Sequence, residues 1–162
     1  MLGYLLDGRD EPVAPASGRG PGWHDTGDIA DIDHEGFLTI LGRAKRFAKV
    51  GGEMVSLTAV EELALNAWPR FTHAALNLPD EKKGEKIILY TSNRHATRRE
   101  LQEFARAHGI GEFYIPKQVI YLHKLPLLTT GKADYRTLSE MAKMEQAATR
   151  AWRQFGATWR AR

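Results

Sequence analysis

Hydrophobic positions along this chain switch between a two-residue and a 3.6-residue repeat, and the switches lay out its elements. Phe37-Leu38-Thr39-Ile40-Leu41 has the apolar, β-favouring content of a strand, closed by Gly42. After Lys49-Val50, the pair Gly51-Gly52 predicts a tight turn into Glu53-Met54-Val55, because glycine alone enters the positive φ region without cost. Val60, Leu63, Ala64 and Ala67 then recur at i, i+3, i+4 and i+7, the apolar stripe of a helix. Thr58 with Glu61 three residues on reads as its capping box, and Pro69 stops it. Strands at 72–78 and 86–91 follow, joined by the turn-rich segment 79–84. A second capping box, Thr97 with Glu100, opens a helix carrying Leu101, Phe104, Ala105 and His108, which Gly109 ends. A strand at 117–122 and a helix carrying Tyr135, Leu138, Met141 and Ala142 complete the pattern. From about residue 44 the order is strand, turn, strand, helix, strand, strand, helix, strand, helix. Short strands mixed irregularly with helices predict an α+β fold, a small layered domain with about three helices. Residues 7–22, dense in Gly and Pro, predict loop.

Composition narrows the function classes. A chain of 162 residues with 43% hydrophobic and 27% charged positions reads as globular, not disordered. A net charge of +3 is too mild to indicate nucleic acid by itself. The absence of cysteine excludes disulfides, thiolate metal sites and a thiol nucleophile. No apolar run reaches the ~18 residues of a membrane span. Between Lys143 and Arg162, five Lys/Arg and a single acid, Glu145, interleave with Trp152, Phe155 and Trp159. Such a tail reads either as a basic amphipathic helix for a membrane surface or acidic partner, or as an extension packing its aromatics.

Lys132 stands on a glycine turn, Pro126-Leu127-Leu128-Thr129-Thr130-Gly131-Lys132, just before the last helical pattern. A flexible ammonium there suits a phosphate or a carboxylate whose charge grows during reaction, though an ordinary surface turn carries lysines too. It is not a phosphate-binding P-loop, because Pro126 and Ala133 occupy positions that motif reserves for Gly and Ser/Thr. Asp28, in a turn after Thr26-Gly27, can accept hydrogen bonds from a ribose diol or cap its own turn. Arg43, Lys45 and Arg46 form a basic cluster able to meet a phosphate or simply to face solvent. The six histidines lack zinc-binding spacing, and no Gly-x-Ser-x-Gly elbow is present, so no metal site and no serine hydrolase is expected.

In order and spacing, these motifs over residues 1–141 resemble the closing part of the adenylate-forming superfamily of acyl-CoA synthetases, nonribosomal adenylation domains and luciferases. The resemblance implies that Asp28 binds the ribose of ATP/AMP, that Arg43 contacts the nucleotide, and that Lys45 is the hinge to a mobile lid. It implies that Gly51, Gly52 and Glu53 line the pantetheine tunnel, with Gly52 as a close-approach glycine, and that Lys132 is the catalytic lysine of adenylation. Many members read Pro-Lys-Thr where this chain has Pro126-Leu127-Leu128, and an Arg after the tunnel glycine where it has Glu53. The stretches 43–49, 52–57 and 125–128 are most similar to the bacterial bifunctional 2-acylglycerophosphoethanolamine acyltransferase/acyl-acyl-carrier-protein synthetase subfamily.

On that resemblance, the chain is expected to hold a β-rich remnant of the large AMP-binding domain (1–42), the lid (43–142) and a basic tail (143–162). The longer protein would activate a fatty acid with ATP and pass it to the phosphopantetheine thiol of acyl carrier protein, then to a lysophospholipid. Mg2+ is expected to arrive with ATP without being held by this piece, which alone is expected to be inactive and soluble. The longer protein is expected at the cytoplasmic side of the inner membrane, with membrane contact otherwise only through the tail and no nucleic-acid partner. A generic acyl-CoA synthetase and a free-standing basic binding module are the alternatives.

Overall fold

The computed structural model describes residues 3–4, 7–13, 17–20, 22–80 and 84–159, with side chains described no further than residue 148. Trp152, Phe155 and Trp159, on which the basic-tail expectation turns, therefore have side chains outside the described residues. The chain forms two compact units, Met1–Lys45 and Arg46–Arg162.

In the first unit, β1 (Asp28–Ile32) pairs antiparallel with β2 (Leu38–Arg43). The Asp33 carboxylate shapes the connection, accepting from the amides of Glu35 at 3.0 Å and Phe37 at 2.9 Å. Gly42 does not close its strand as the sequence predicts. The register slips between Ile29 and Ala30, so that Leu41 is the extra residue of a bulge. Gly42 continues the strand at φ 149°, where a Cβ would be strained, and Arg43 ends it. Ile32, Leu38 and Ile40 line one face of this ribbon and are all exposed.

The second unit is a layered α+β fold. A 3-10 turn (Ala44–Arg46) leads into the hairpin of β3 (Phe47–Val50) and β4 (Glu53–Ser56). Then come α1 (Leu57–Ala67), β5 (His73–Asp80), β6 (Gly84–Thr91), α2 (Arg98–Ala107), β7 (Gln118–Tyr121) and α3 (Tyr135–Trp159). The sheet runs β4-β3-β6-β5, with β7 parallel to β6 beyond its short pairing with β3. Strands β5 and β6 are largely buried on both faces, so their sequences run apolar instead of alternating. Ala75, Ile87 and Leu89 pack with Val60, Leu63 and Ala64 of α1 and Leu101 and Ala105 of α2. On the opposite face Ala74, Leu76, Leu78, Ile88 and Tyr90 pack with Leu138 and Ala142 of α3. Each fully buried Leu or Ile contributes about 2 kcal/mol of transfer free energy, so the two cores dominate the stability of this unit.

Three element boundaries differ from the sequence reading. Helix α1 starts at Leu57 with Ser56, not Thr58, as its N-cap; the Ser56 hydroxyl accepts from the Ala59 amide at 3.3 Å. Strand β5 runs on to Asp80 and β6 starts at Gly84, so both reach into the segment read as a turn, with Pro79 opposite Glu85 and Asp80 opposite Gly84. Pro79 is tolerated because β5 is an edge strand, where a missing N–H breaks no ladder bond. Met141 is exposed, leaving Leu138 and Ala142 as the buried positions of α3 among the described residues.

Candidate active site

The first unit brings Asp28 and Arg43 together. They are directly opposed at the end of the ribbon, with Arg43 Nε 3.0 Å from Asp28 Oδ1. Arg43 Nη1 also donates to the Thr26 carbonyl at 2.8 Å, and the Ala44 amide donates to the Gly27 carbonyl at 2.8 Å. Asp28 is the first residue of β1, and the residue that caps the preceding turn is Asp25, whose carboxylate accepts from the Gly27 amide at 2.8 Å. Arg43 is two-thirds exposed, so the pair adds little stability; its effect is to hold a carboxylate and a guanidinium side by side at the surface.

Lys45 is exposed on the 3-10 turn at the end of the first unit. In the second unit Gly51 and Gly52 form the two-residue β3–β4 turn at φ 61° and 98°, the paired positive values a tight hairpin demands. A Cβ built on either glycine meets nothing within 4 Å, so the turn is open on this side. Glu53 begins β4, exposed.

Lys132 sits in a loop held by its backbone. The Leu128 amide donates to the Lys132 carbonyl at 2.8 Å, Gly131 N–H to Leu128 at 2.9 Å, and Asp134 N–H to Pro126 at 2.9 Å. Asp134 caps α3 by accepting from the amides of Arg136 and Thr137, each at 3.1 Å. The Thr137 hydroxyl, donating at 2.7 Å, and its amide hold the Asp134 carboxyl below its ordinary pKa, so the cap stays ionised. The Lys132 side chain is exposed and, among the described residues, has no ion-pair partner. The result is an ammonium on a backbone-braced loop, free to meet an anion.

Arg46, grouped by sequence with the phosphate-facing cations, is instead engaged inside the second unit. Its guanidinium pairs with Glu61 and stacks on Tyr135. Among the described residues, no group of three or more His, Cys, Asp or Glu stands close enough to hold a metal ion, and no helix is long and apolar enough to cross a membrane.

The fold of the second unit is that of the C-terminal small domain of adenylate-forming enzymes. A Mycobacterium tuberculosis fatty acyl CoA synthetase is 31% identical with a TM-score of 0.57, over 75% of this chain and 24% of the other. ATP-bound MatB from Rhodopseudomonas palustris matches with a TM-score of 0.58 and 27% identity, over 73% of this chain and 24% of that one. The homologues of the chain are AMP-binding, adenylate-forming acyl-CoA ligases. They include probable acyl-activating enzyme 4 of Arabidopsis thaliana, 34% identical over 88% of this chain and 26% of the relative. Enterobactin synthase component E of Escherichia coli is 36% identical over 74% of this chain and 22% of its own length. The chain thus spans about a quarter of the curated relatives it matches. No family model matches it.

Proposed function

We propose that this chain supplies the nucleotide-clamping ribbon and the mobile catalytic lid of an ATP-dependent acyl-activating ligase. The observation that carries the reading is Lys132, an ammonium without an ion-pair partner among the described residues, on a loop whose backbone is held by hydrogen bonds between Leu128 and Lys132, Gly131 and Leu128, and Asp134 and Pro126. In the first half-reaction a carboxylate oxygen attacks the α-phosphorus of ATP. The bond to the β-phosphate oxygen breaks, and acyl-adenylate and pyrophosphate form. Lys132 donates hydrogen bonds to the carboxylate and the α-phosphate oxygens, offsetting the charge that gathers between them. Asp28 accepts from the ribose hydroxyls, and Arg43, paired with it, contacts the nucleotide. In the second half-reaction a thiol attacks the acyl carbonyl, loses its proton to solvent and expels AMP. The open Gly51–Gly52 turn leaves room for the narrow pantetheine arm that carries this thiol. Mg2+ would enter with ATP and neutralise its phosphates.

For the acceptor, the stretches 43–49, 52–57 and 125–128 support acyl carrier protein, a fatty acyl group, and onward transfer to a lysophospholipid at the inner membrane. Coenzyme A is the second reading, favoured by relatives such as the 3-methylmercaptopropionyl-CoA ligase of Ruegeria pomeroyi, 34% identical.

The test is fatty-acid-dependent ATP–pyrophosphate exchange by the polypeptide carrying the whole adenylating domain. Lys132→Ala is expected to slow exchange by at least ~100-fold, the scale of one lost transition-state donor, while sparing thioester formation from preformed adenylate. Equal loss in both half-reactions would refute the assignment. Supplying acyl carrier protein and coenzyme A in parallel then separates the two acceptors.

A further inference from the structure

Arg46, Glu61 and Tyr135 form a cluster that the adenylation chemistry leaves unused. Glu61 Oε1 accepts from the Ala75 amide at 2.7 Å, and the Tyr135 hydroxyl lies 3.0 Å and 3.2 Å from the two carboxylate oxygens. Arg46 Nη2 is 2.7 Å from Glu61 Oε2, an ion pair in contact but not aligned as a hydrogen bond. Arg46 Nη1 donates to the Ala75 carbonyl at 2.9 Å, and its guanidinium carbon lies 4.0 Å from the centre of the Tyr135 ring. The Arg46 and Glu61 side chains are only 18% and 17% exposed. One carboxylate and one guanidinium thus grip both polar groups of a single β5 residue, and Tyr135 closes over the pair. Burial, and then the charge of Glu61, push the Tyr135 hydroxyl above its ordinary pKa, so it is a donor across the neutral and mildly alkaline range.

The two ends of this cluster have meaning in the chain. Arg46 is the first residue of the second unit, directly after the expected hinge Lys45. Tyr135 opens α3, three residues after Lys132, and is coupled to that loop by the Leu127–Ala133 bridge and the Asp134–Pro126 hydrogen bond. We propose that Arg46, Glu61 and Tyr135 are positioning residues that make a strut from the chain entry of the lid to the loop bearing Lys132. The strut pins the backbone at Arg46, so rotation is confined to Lys45 and residues before it, and Lys132 turns with the lid as one rigid body. This rests on the adenylation role proposed for Lys132.

Two measurements test it. Limited trypsin digestion of the chain, with products read by mass, compares cleavage after exposed Lys45 with cleavage after Arg46, whose side chain is occupied. Wild type is expected to be cut after Lys45 in preference to Arg46. Tyr135→Phe, which keeps the ring but loses the hydroxyl, and Glu61→Gln should raise the Arg46-to-Lys45 product ratio about tenfold, the scale of one lost hydrogen bond to a charged group. Cleavage after Lys124, an exposed loop lysine, should stay constant. A uniform rise at all three sites would mean general loosening and would overturn the strut. In the polypeptide carrying the whole adenylating domain, the same variants should lower kcat for pyrophosphate exchange about tenfold, leaving KM for ATP and transfer from preformed adenylate unchanged. Wild-type exchange in both variants, with Lys132→Ala defective, would overturn the strut alone. Normal exchange in Lys132→Ala would overturn the functional reading, and with it the strut's link to catalysis.

Discussion

His73 packs its ring on Trp68, centroids 5.8 Å apart, and its Nε2 donates to the Trp68 carbonyl at 3.2 Å. Its Nδ1 is buried without a hydrogen-bond partner among the described residues, so a proton added there would have no acceptor. Burial accordingly lowers the pKa of His73, against smaller opposing effects of the Trp68 carbonyl and the Glu61 charge. The unfolded chain then binds the proton more readily than the folded one. Stability should be level above about 6.5 and fall as the pH drops below that value, until the folded histidine also titrates. Denaturant unfolding at a series of pH values would show this slope, and His73→Phe should flatten it; an unchanged slope in the variant would assign it to other groups. At this scale the sequence is legible where chemistry is local. Lys132 and its glycine turn lie side by side in the chain, as do Gly51 and Gly52. Glu61 and Tyr135 are 74 positions apart, and nothing in either neighbourhood indicates that they meet.

Helix α1 shows how one residue can carry two readings. Thr58-x-x-Glu61 has the form of a capping box, but the Glu61 carboxylate is engaged with Ala75, Arg46 and Tyr135, and Ser56 caps the helix. In α2 the equivalent signal holds, with Glu100 accepting from the Thr97 amide at 3.1 Å and the Thr97 hydroxyl accepting in return. The difference is burial: Glu100 is exposed and has no competing partners deep in the fold. Ser56→Ala should therefore cost about 1 kcal/mol and Thr58→Ala less than about 0.5 kcal/mol in urea unfolding. The reverse order would return the cap to Thr58. Strand β1 was the element least legible in sequence, because Asp28-Ile29-Ala30-Asp31-Ile32 is short and rich in acid, and only its pairing with β2 makes it a strand.

On the scale of the molecule, the two units differ in how well they hold themselves. The second has an apolar core on each face of its sheet, whereas the β1–β2 ribbon leaves Ile32, Leu38 and Ile40 60–63% exposed. A two-stranded ribbon is at best marginally stable alone. In hydrogen exchange, amides paired between β1 and β2 should exchange at least ~100-fold faster than those between β5 and β6. Equal protection would show that the ribbon is stabilised by more than its own pairing. The order of elements in the second unit was readable because each carries its own period and punctuation. The division of the sheet between two cores was not, because β5 and β6 run apolar and hide which residue faces which helix.

The placement of α3 also fixes when the second unit can complete its second core during synthesis. Strands β3 to β6 and helices α1 and α2 precede it in the chain and can close the first core while translation continues. The opposite face, with Ala74, Leu76, Leu78, Ile88 and Tyr90, stays bare until Leu138 and Ala142 have left the ribosome. A nascent chain therefore carries a half-covered sheet for the time needed to make about fifty more residues after β6, a window in which a chaperone has an apolar surface to grip.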